Sequence, residues 1–555
     1  HLNVARGTKV DTTAPAGRAG TWLIDPQDFT IAASGGDIDG ATLSSNLGSG
    51  NVTILSSAGG TSGSGGINVN DAVSWSANQL TLTAARDINL NAVMTASGTS
   101  TLVMNTATAN GADSGVAGGT VRVGFNDQGT FAGRVDFPGR SGTGFLTING
   151  NGYTVIDSLG AAGSTTGTDL QGINGNLVGS YYALGTDIDA SATAGWNGGQ
   201  GFAPIGPVSS GTGFRGTFDG LGHVISNLAI NRPTESSVGL FGYNWSSTVR
   251  NVGLTGVGQV IGSSYVGALS GSIQNGSAVH NVYATLDVTG ENRIGGLAGE
   301  LTASSLDLAR SSGNVHSAPG TSGASAGGLV GEVTNNATIS RAYATGDVDV
   351  SASTDFYWTG GLVGIAGPST ISKVFATGDV VTARGAFGPA AGGLFGALNG
   401  ASVTDAYATG NVYSLAGPGD HIGAAYVRLT FPTHSLTTRG AIDTVVADAG
   451  QIEQMITANY AAERERSAAA DRDFQASLLW TCVTALVLGF AISAATVAFP
   501  GISPSARRSG ALSSSCLPRC SRARPIPKPI CRVILPHNIP TGAHAFWAPE
   551  RMLKH

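Results

Sequence analysis

Cysteine is missing from residues 1–481, and the four cysteines of this 555-residue chain (Cys482, Cys516, Cys520 and Cys531) all lie beyond them. A disulfide scaffold is excluded, and a long thiol-free stretch suits export through an oxidising compartment, where stray thiols would cross-link. Charge is also scarce: Asp, Glu, Lys and Arg make up 12 % of the chain, against about a quarter in an ordinary domain. Aromatic residues make up 7 %, too little bulk for the cores of several helical domains. The chain opens on His1 rather than Met, with no basic segment leading into an apolar run and a small-residue cleavage site. The expectation is that its natural start lies upstream, so the lack of a signal says nothing against secretion.

What the chain has in quantity is glycine, 84 residues, and the glycine is periodic. Gly-Gly-Leu-Ala-Gly at 295–299 is followed by Gly-Gly-Leu-Val-Gly at 327–331 and 360–364 and Gly-Gly-Leu-Phe-Gly at 392–396. The second glycines, Gly296, Gly328, Gly361 and Gly393, stand 32, 33 and 32 residues apart. Weaker copies precede them at 238–242 and 266–271, and a degenerate one follows at 421–427. A second signature keeps the same register: NVYATLDV (281–288), RSSGNV (310–315), RAYATGDV (341–348), KVFATGDV (373–380) and DAYATGNV (405–412). Each reads as a short strand, a Gly-Asp or Gly-Asn turn, and a new strand. One such unit cannot bury its own Leu and Val, whereas stacked coils can, each strand pairing with its equivalent one coil along. The glycines allow tight corners and close stacking, and they argue against helix. Upstream, NVTIL, LTLTA, DINLNA and STLVM alternate in the same manner between Gly, Ser, Asn and Asp, so one continuous parallel solenoid is expected.

The chemistry that these residues offer is thin. No His is followed by Glu, and the nine His show no pair at helical ligand spacing, so no HExxH zinc site is present. His223 reads as a turn or stacking residue. Carboxylate pairs exist at Asp37/Asp39 and Asp187/Asp189, with a ladder at Asp287, Asp347 and Asp379. Alternate residues share a strand face, so acid–base work or weak calcium binding is conceivable there, but Asp beside Gly is the ordinary turn solution. Asn314 and Asn411 also interrupt the ladder. No corner reads GxxxxGK[ST], and the acidic solenoid, with 17 Lys and Arg against 29 Asp and Glu over residues 1–450, argues against nucleic acid. No catalytic residue, cofactor or metal is therefore expected. The better lead is aromatic: Trp196, Phe202, Phe214, Phe218, Tyr243, Trp245, Phe356, Tyr357 and Trp358 lie in the introducing module or in insertions, where the favoured reading is capping and packing of longer loops and the functional one is an exposed platform for carbohydrate or protein. Trp196, Trp245 and the cluster Phe356, Tyr357 and Trp358 are the chosen adhesive candidates.

TWLIDPQDFTIA (21–32), GNVTILSSAGG and INVNDAVSWSANQLTLTAARDINLNA resemble the haemagglutination-activity family of filamentous-haemagglutinin-like bacterial exoproteins. Residues 169–206 and 214–230 are similar to the module that introduces GLUG repeats, and the Gly-Gly-Leu-Val-Gly copies to the GLUG motif itself. The resemblance spans about residues 1–425. It implies a right-handed parallel β-helix in a secreted or surface-held adhesin, exported by two-partner secretion through an outer-membrane transporter. Its partners would be glycans or proteins of host or bacterial surfaces. GLUG repeats also occur near some immunoglobulin A metallopeptidases, so an enzyme reading has to be tested; a β-helix can also host polysaccharide lyases or hydrolases that use clustered carboxylates on one face, and a β-helical carbohydrate-active enzyme stands as the alternative.

The expected organisation is haemagglutinin-like coils over 1–160, a GLUG-introducing module over 161–235 and GLUG repeats over 236–427. The remainder breaks the plan. Residues 428–477 read as a linker and helix. The uncharged apolar run 478–499 is long enough to span a membrane, with basic residues after it; a membrane-anchored sensor ectodomain is thus a third reading. Residues 500–555, with 9 Pro and 9 Lys and Arg against one acid, read as a disordered tail or an out-of-frame fusion.

Overall fold

The computed structural model describes residues 2–423 apart from 15, 18–19, 57–64, 107–118, 127–128, 209–210, 212, 384–389 and 414–420. The linker, the apolar run 478–499 and the basic tail lie outside the described residues, as do all four cysteines. Among the described residues no helix is long and apolar enough to cross a membrane.

Alternating burial builds the first part. Strands Asn51–Ser56, Gln79–Ala84 and Thr101–Asn105 stack in parallel and bring Val52, Leu80 and Leu102 into one inward column and Ile54, Leu82 and Met104 into the next. Two further parallel sheets close the coils: Phe29–Ile31, Ile67–Val69, Ile88–Leu90 and Val121–Val123 form one, and Val73–Trp75, Val93–Ala96 and Arg134–Asp136 the other. The stretch expected to be strand throughout also holds a helix, Gly40–Leu47. Asp39 caps it, accepting from Thr42 N at 2.9 Å and Thr42 Oγ1 at 2.7 Å. Leu43 and Leu47 form its buried stripe. Ser44 Oγ accepts Ser74 N at 2.9 Å, so the helix covers an edge strand that would otherwise invite pairing.

The second part is a four-faced solenoid. One coil runs from Ala337–Ala344 (face one) through Val348–Asp349 (face two) and Asp355–Gly360 (face three) to Val363–Ala366 (face four). Face one stacks in parallel with Val249, Val279, Leu306, Ile339, Ile371 and Val403 in one column. Gly-Gly-Leu forms the corner between faces three and four, where Leu297, Leu329 and Leu362 are fully buried. A Cβ on Gly296 would meet the Gly328 carbonyl oxygen, and one on Gly328 and Gly361 the carbonyls of Gly361 and Gly393. The Gly-Asp corner behaves likewise: a Cβ on Gly346 or Gly378 would meet the carbonyl of the glycine one coil earlier. These five corner positions need glycine for the closeness of the neighbouring coil, not for a left-handed backbone.

Left-handed residues sit elsewhere, among them those at the first position of four copies of the second signature. Asn281, Arg341, Lys373 and Asp405 have φ of 56, 51, 54 and 50°. One such residue inside each face-one strand turns two successive side chains outward, so that Ile339 and Ala342 both point into the core. The simple alternation expected of these strands is broken there.

The stack is not continuous. Asn151–Gly152 turns back antiparallel on Leu146–Ile148, and among the described residues no sheet is shared between the two solenoids. Instead, face one of the second solenoid caps the last coil of the first. Asn281 Nδ2 donates to Val123 O at 2.9 Å and Asn251 Nδ2 to Val121 O at 3.3 Å. Val135 N donates to Leu221 O at 3.1 Å and Phe137 N to Gly185 O at 2.9 Å. An open strand edge is thereby satisfied from the side of a neighbouring coil stack.

Candidate functional site

Face four carries the most varied outward chemistry. Parallel register aligns Tyr243 with Ser272, Ser272 with Glu300 and Glu300 with Glu332, and beside them Trp245 with Gln274. The side chains form a connected network. Tyr243 Oη donates to Gln274 Oε1 at 3.1 Å, while Gln274 Nε2 and Ser272 Oγ both donate to Glu300 Oε2 at 2.6 Å. Glu332 is paired with Arg293, whose guanidinium lies 5.0 Å from the Tyr265 ring centroid on face three. Arg215 sits 5.5 Å from the Trp245 ring centroid, and Tyr243 packs on Trp245 at 5.6 Å. Burial, with the Glu300 carboxylate adding to it, pushes the Tyr243 hydroxyl up. The patch presents a half-buried indole, a phenol, an amide and two carboxylates across neighbouring coils, a surface for recognition.

Face one carries a second ladder. Tyr283, Arg310, Tyr343, Phe375 and Tyr407 occupy one register column. Tyr343 and Phe375 stack at 4.5 Å and Phe375 and Tyr407 at 5.1 Å, both with planes 8° apart. Stacked along the coil axis, these rings cover one another's faces and offer only edges, which suits packing between coils better than a sugar ring. Next to it, Asp307 accepts from Ser340 Oγ at 2.6 Å, faces His280 Nδ1 at 2.9 Å and is paired with Arg341. Burial alone would raise the Asp307 carboxyl; the hydrogen bonds from His280, Arg341 and Ser340 outweigh it and hold the group well below the usual carboxylate range. The serine donates to the aspartate, not to the histidine, so the trio lacks the nucleophile–base contact of a hydrolase.

The residues singled out by sequence fare unevenly. Trp245 falls in the face-four patch. Trp196 is half-buried, stacked at 6.4 Å on the buried Phe202. Phe202, Phe214 and Phe218 are fully buried and are not platforms: their rings fill the wide first coils of the second solenoid. Phe356, Tyr357 and Trp358 lie within a regular face-three strand, Asp355–Gly360, whose Trp358 pairs in register with Ser325 and Ala390. The side chains of Phe356 and Tyr357 are outside the described residues.

The carboxylate pairs are engaged in the backbone. Asp37 Oδ2 accepts Thr30 N at 2.8 Å, Asp39 caps the helix, and Asp189 accepts Ser191 N at 3.0 Å. Asp187 accepts Val224 N at 2.9 Å and faces His223 Nδ1 at 3.1 Å. In the ladder, Asp287 accepts Asn314 N, Asn314 accepts Asp347 N, Asp347 accepts Asp379 N and Asp379 accepts Asn411 N, at 2.7–3.0 Å. Aspartate and asparagine are interchangeable in that role, which explains the interruptions. Among the described residues no three His, Cys, Asp or Glu side chains are grouped to hold a metal ion.

A solenoid whose coils are closed by Gly-Gly-Leu corners is the class of protein that these observations define. The family profile of the GLUG motif matches residues 322–350, one coil from face three through face two. Over 193 residues, 32 % of the chain, it is 38 % identical to Halomucin of Haloquadratum walsbyi, and over 198 residues, 35 % of the chain, 30 % identical to Immunoglobulin A1 protease of Streptococcus sanguinis. The matched stretches span only 2 % and 10 % of those relatives' own lengths. A solved structure described as IgA1 Protease aligns over 47 % of this chain and 20 % of its own, at 21 % identity and a TM-score of 0.33.

Proposed function

We propose that the chain is the solenoid portion of a secreted or surface-held bacterial adhesin, a non-catalytic scaffold whose outward patches attach to glycans or proteins of host or bacterial surfaces. Export by two-partner secretion through an outer-membrane transporter, as in the filamentous-haemagglutinin-like exoproteins, belongs to the same reading. The observation that carries it is the face-four patch, where Trp245, Tyr243, Gln274 and Glu300 are linked into one outward network. The engagement of each candidate carboxylate pair in backbone hydrogen bonds supports a binding role over an acid–base one.

Similarity to Immunoglobulin A1 protease favours a second reading, in which this solenoid belongs to a larger protein that cleaves immunoglobulin A1. One experiment addresses both. The full chain is applied to glycan and matrix-protein arrays, with Trp245→Ala and Trp358→Ala in parallel, and is incubated with immunoglobulin A1. Attachment that falls at least about tenfold in Trp245→Ala, with the immunoglobulin intact, supports the adhesin. Cleavage of the immunoglobulin without attachment overturns it.

A further inference from the structure

The hydrogen bonds across the outward side of face four leave one kind of valence open. Tyr243 Oη donates to Gln274 Oε1 at 3.1 Å. Gln274 Nε2 donates to Ser272 Oγ at 2.9 Å and to Glu300 Oε2 at 2.6 Å, and Ser272 Oγ donates to the same Glu300 Oε2 at 2.6 Å. Every donor of the network is thereby used within it. Glu300 Oε2 receives two of them, whereas Glu300 Oε1 has no hydrogen-bond partner among the described residues and is not buried. Toward solvent the network accepts and does not donate.

Charge points the same way. Glu300 and Glu332 stand in register on adjacent coils with one guanidinium, Arg293, which is paired with Glu332. Among the described residues no cation is in contact with Glu300. Arg215 lies three coils off, along the register Phe214, Asn244, Ile273 and Leu301, or about 14 Å of sheet, a distance over which salt screens. An open acceptor with a net negative charge favours a charged donor, whose hydrogen bonds are about twice as strong as those of a hydroxyl, and it repels anionic groups. The number of open oxygens narrows the choice. A guanidinium binds a carboxylate as a fork through both oxygens, and here one oxygen is already filled; an ammonium is a point charge and needs one. Trp245 has Arg215 over its ring at 5.5 Å and Tyr243 against it at 5.6 Å. The aromatic pair therefore offers edges to the methylene stem of a lysine and not an open face to a sugar ring.

We propose that face four docks a protein partner through a lysine side chain, with the ammonium on Glu300 Oε1 and the stem along Tyr243. The assignment rests on the adhesive reading in taking face four as the attaching surface. The full chain, Trp245→Ala and Glu300→Gln, which keeps the shape and removes the charge, are applied to a matrix-protein array in three forms: untreated, with lysines acetylated, and with lysines guanidinated. Glucosamine oligomers, other glycans and an immobilised polylysine surface complete the set. Attachment of the parent chain to untreated protein should fall at least about tenfold on acetylation and on guanidination, and by as much in Glu300→Gln, whose residual attachment should be indifferent to either treatment. Acetylation alters the partner and not this chain, so it carries the test if Glu300→Gln does not fold. Parent attachment that survives acetylation, that is as strong on guanidinated protein, or that is stronger on glucosamine oligomers overturns the proposal, as does a Glu300→Gln chain that folds and attaches like the parent. Attachment to glycans or acetylated protein that is lost in Trp245→Ala and kept in Glu300→Gln removes the lysine contact and leaves the adhesin. A blank array with polylysine retention that Glu300→Gln loses does the reverse, and a blank array with equal retention of both chains removes both.

Discussion

The two solenoids share an interior and differ in how they turn. In the first, successive inward partners Trp22, Val52, Leu80, Leu102 and Leu146 are 30, 28, 22 and 44 residues apart. In the second, Val249, Val279, Leu306, Ile339, Ile371 and Val403 are 30, 27, 33, 32 and 32 apart. Period is therefore not what makes a coil: inward alternation and parallel pairing are, and they tolerate loops of any length on the outside. Regular spacing appears where corners as well as strands stack, because glycine carbonyls one coil apart leave no room for variation.

That difference is tested most sharply by adding one methyl group to each part. Gly361→Ala places a Cβ against the Gly393 carbonyl and the Ala376 side chain. Overpacking between two backbones has no rotamer to relax into, so a loss of about 3 kcal/mol or more is expected in urea unfolding. Gly150→Ala in the first solenoid meets nothing within 4 Å and only strains a φ of 77°, an expected cost of about 1 kcal/mol. Equal losses would mean that corner stacking does not set the second solenoid's regularity.

Much of this was legible in the sequence, and the misses have physical causes. The 32-residue register, the buried Leu297, Leu329 and Leu362 and the stacking glycines follow from spacing and residue size. The helix Gly40–Leu47 was written in Asp39 as a cap, in Leu43 and Leu47 four apart and in Gly48 after them, but Asp37 and Asp39 invite a carboxylate-pair reading instead. Phe202, Phe214 and Phe218 look like loop aromatics because nothing in a non-repeating segment tells inside from outside. Trp245 is legible as an aromatic, whereas its partners Gln274, Glu300 and Arg215 come from other coils and only the fold assembles them. The junction was the least legible, since Asn251 and Asn281 satisfy carbonyls 130 and 158 residues away.

The junction is the next place to separate the two parts. Asn251 donates to Val121 O and to Asp219 Oδ1 at 2.9 Å, accepts from Asn281 Nδ2, and holds a φ of 54° that asparagine tolerates. Asn251→Ala leaves a buried carboxylate short of a donor and an edge carbonyl open, so a loss of about 2 kcal/mol is expected. Hydrogen exchange should locate it: amides of Val121–Val123 and Arg134–Asp136 should lose protection while those of Ala337–Ala344 keep theirs. Protection falling equally throughout would mean that the two solenoids unfold as one unit.

A smaller effect than that at the junction belongs to the second solenoid alone and is read through pH. The Asp307 carboxyl is held below its ordinary value in the folded chain, whereas in the unfolded chain it titrates near about 3.9. A depressed folded value means that the carboxylate adds stability above the unfolded value and that this is lost as pH falls toward the folded one. At pH 7 Asp307→Asn should therefore cost about 1–2 kcal/mol, since Ser340, His280 and Arg341 lose a charged acceptor that is 22 % exposed. The gap between variant and parent should narrow steadily below about pH 4. The exchange of Val121–Val123 should be untouched at either pH, because Asp307 makes its contacts within face one of the second solenoid. A gap that stays constant from pH 7 to pH 3 would show that the aspartate acts there through shape and not through charge.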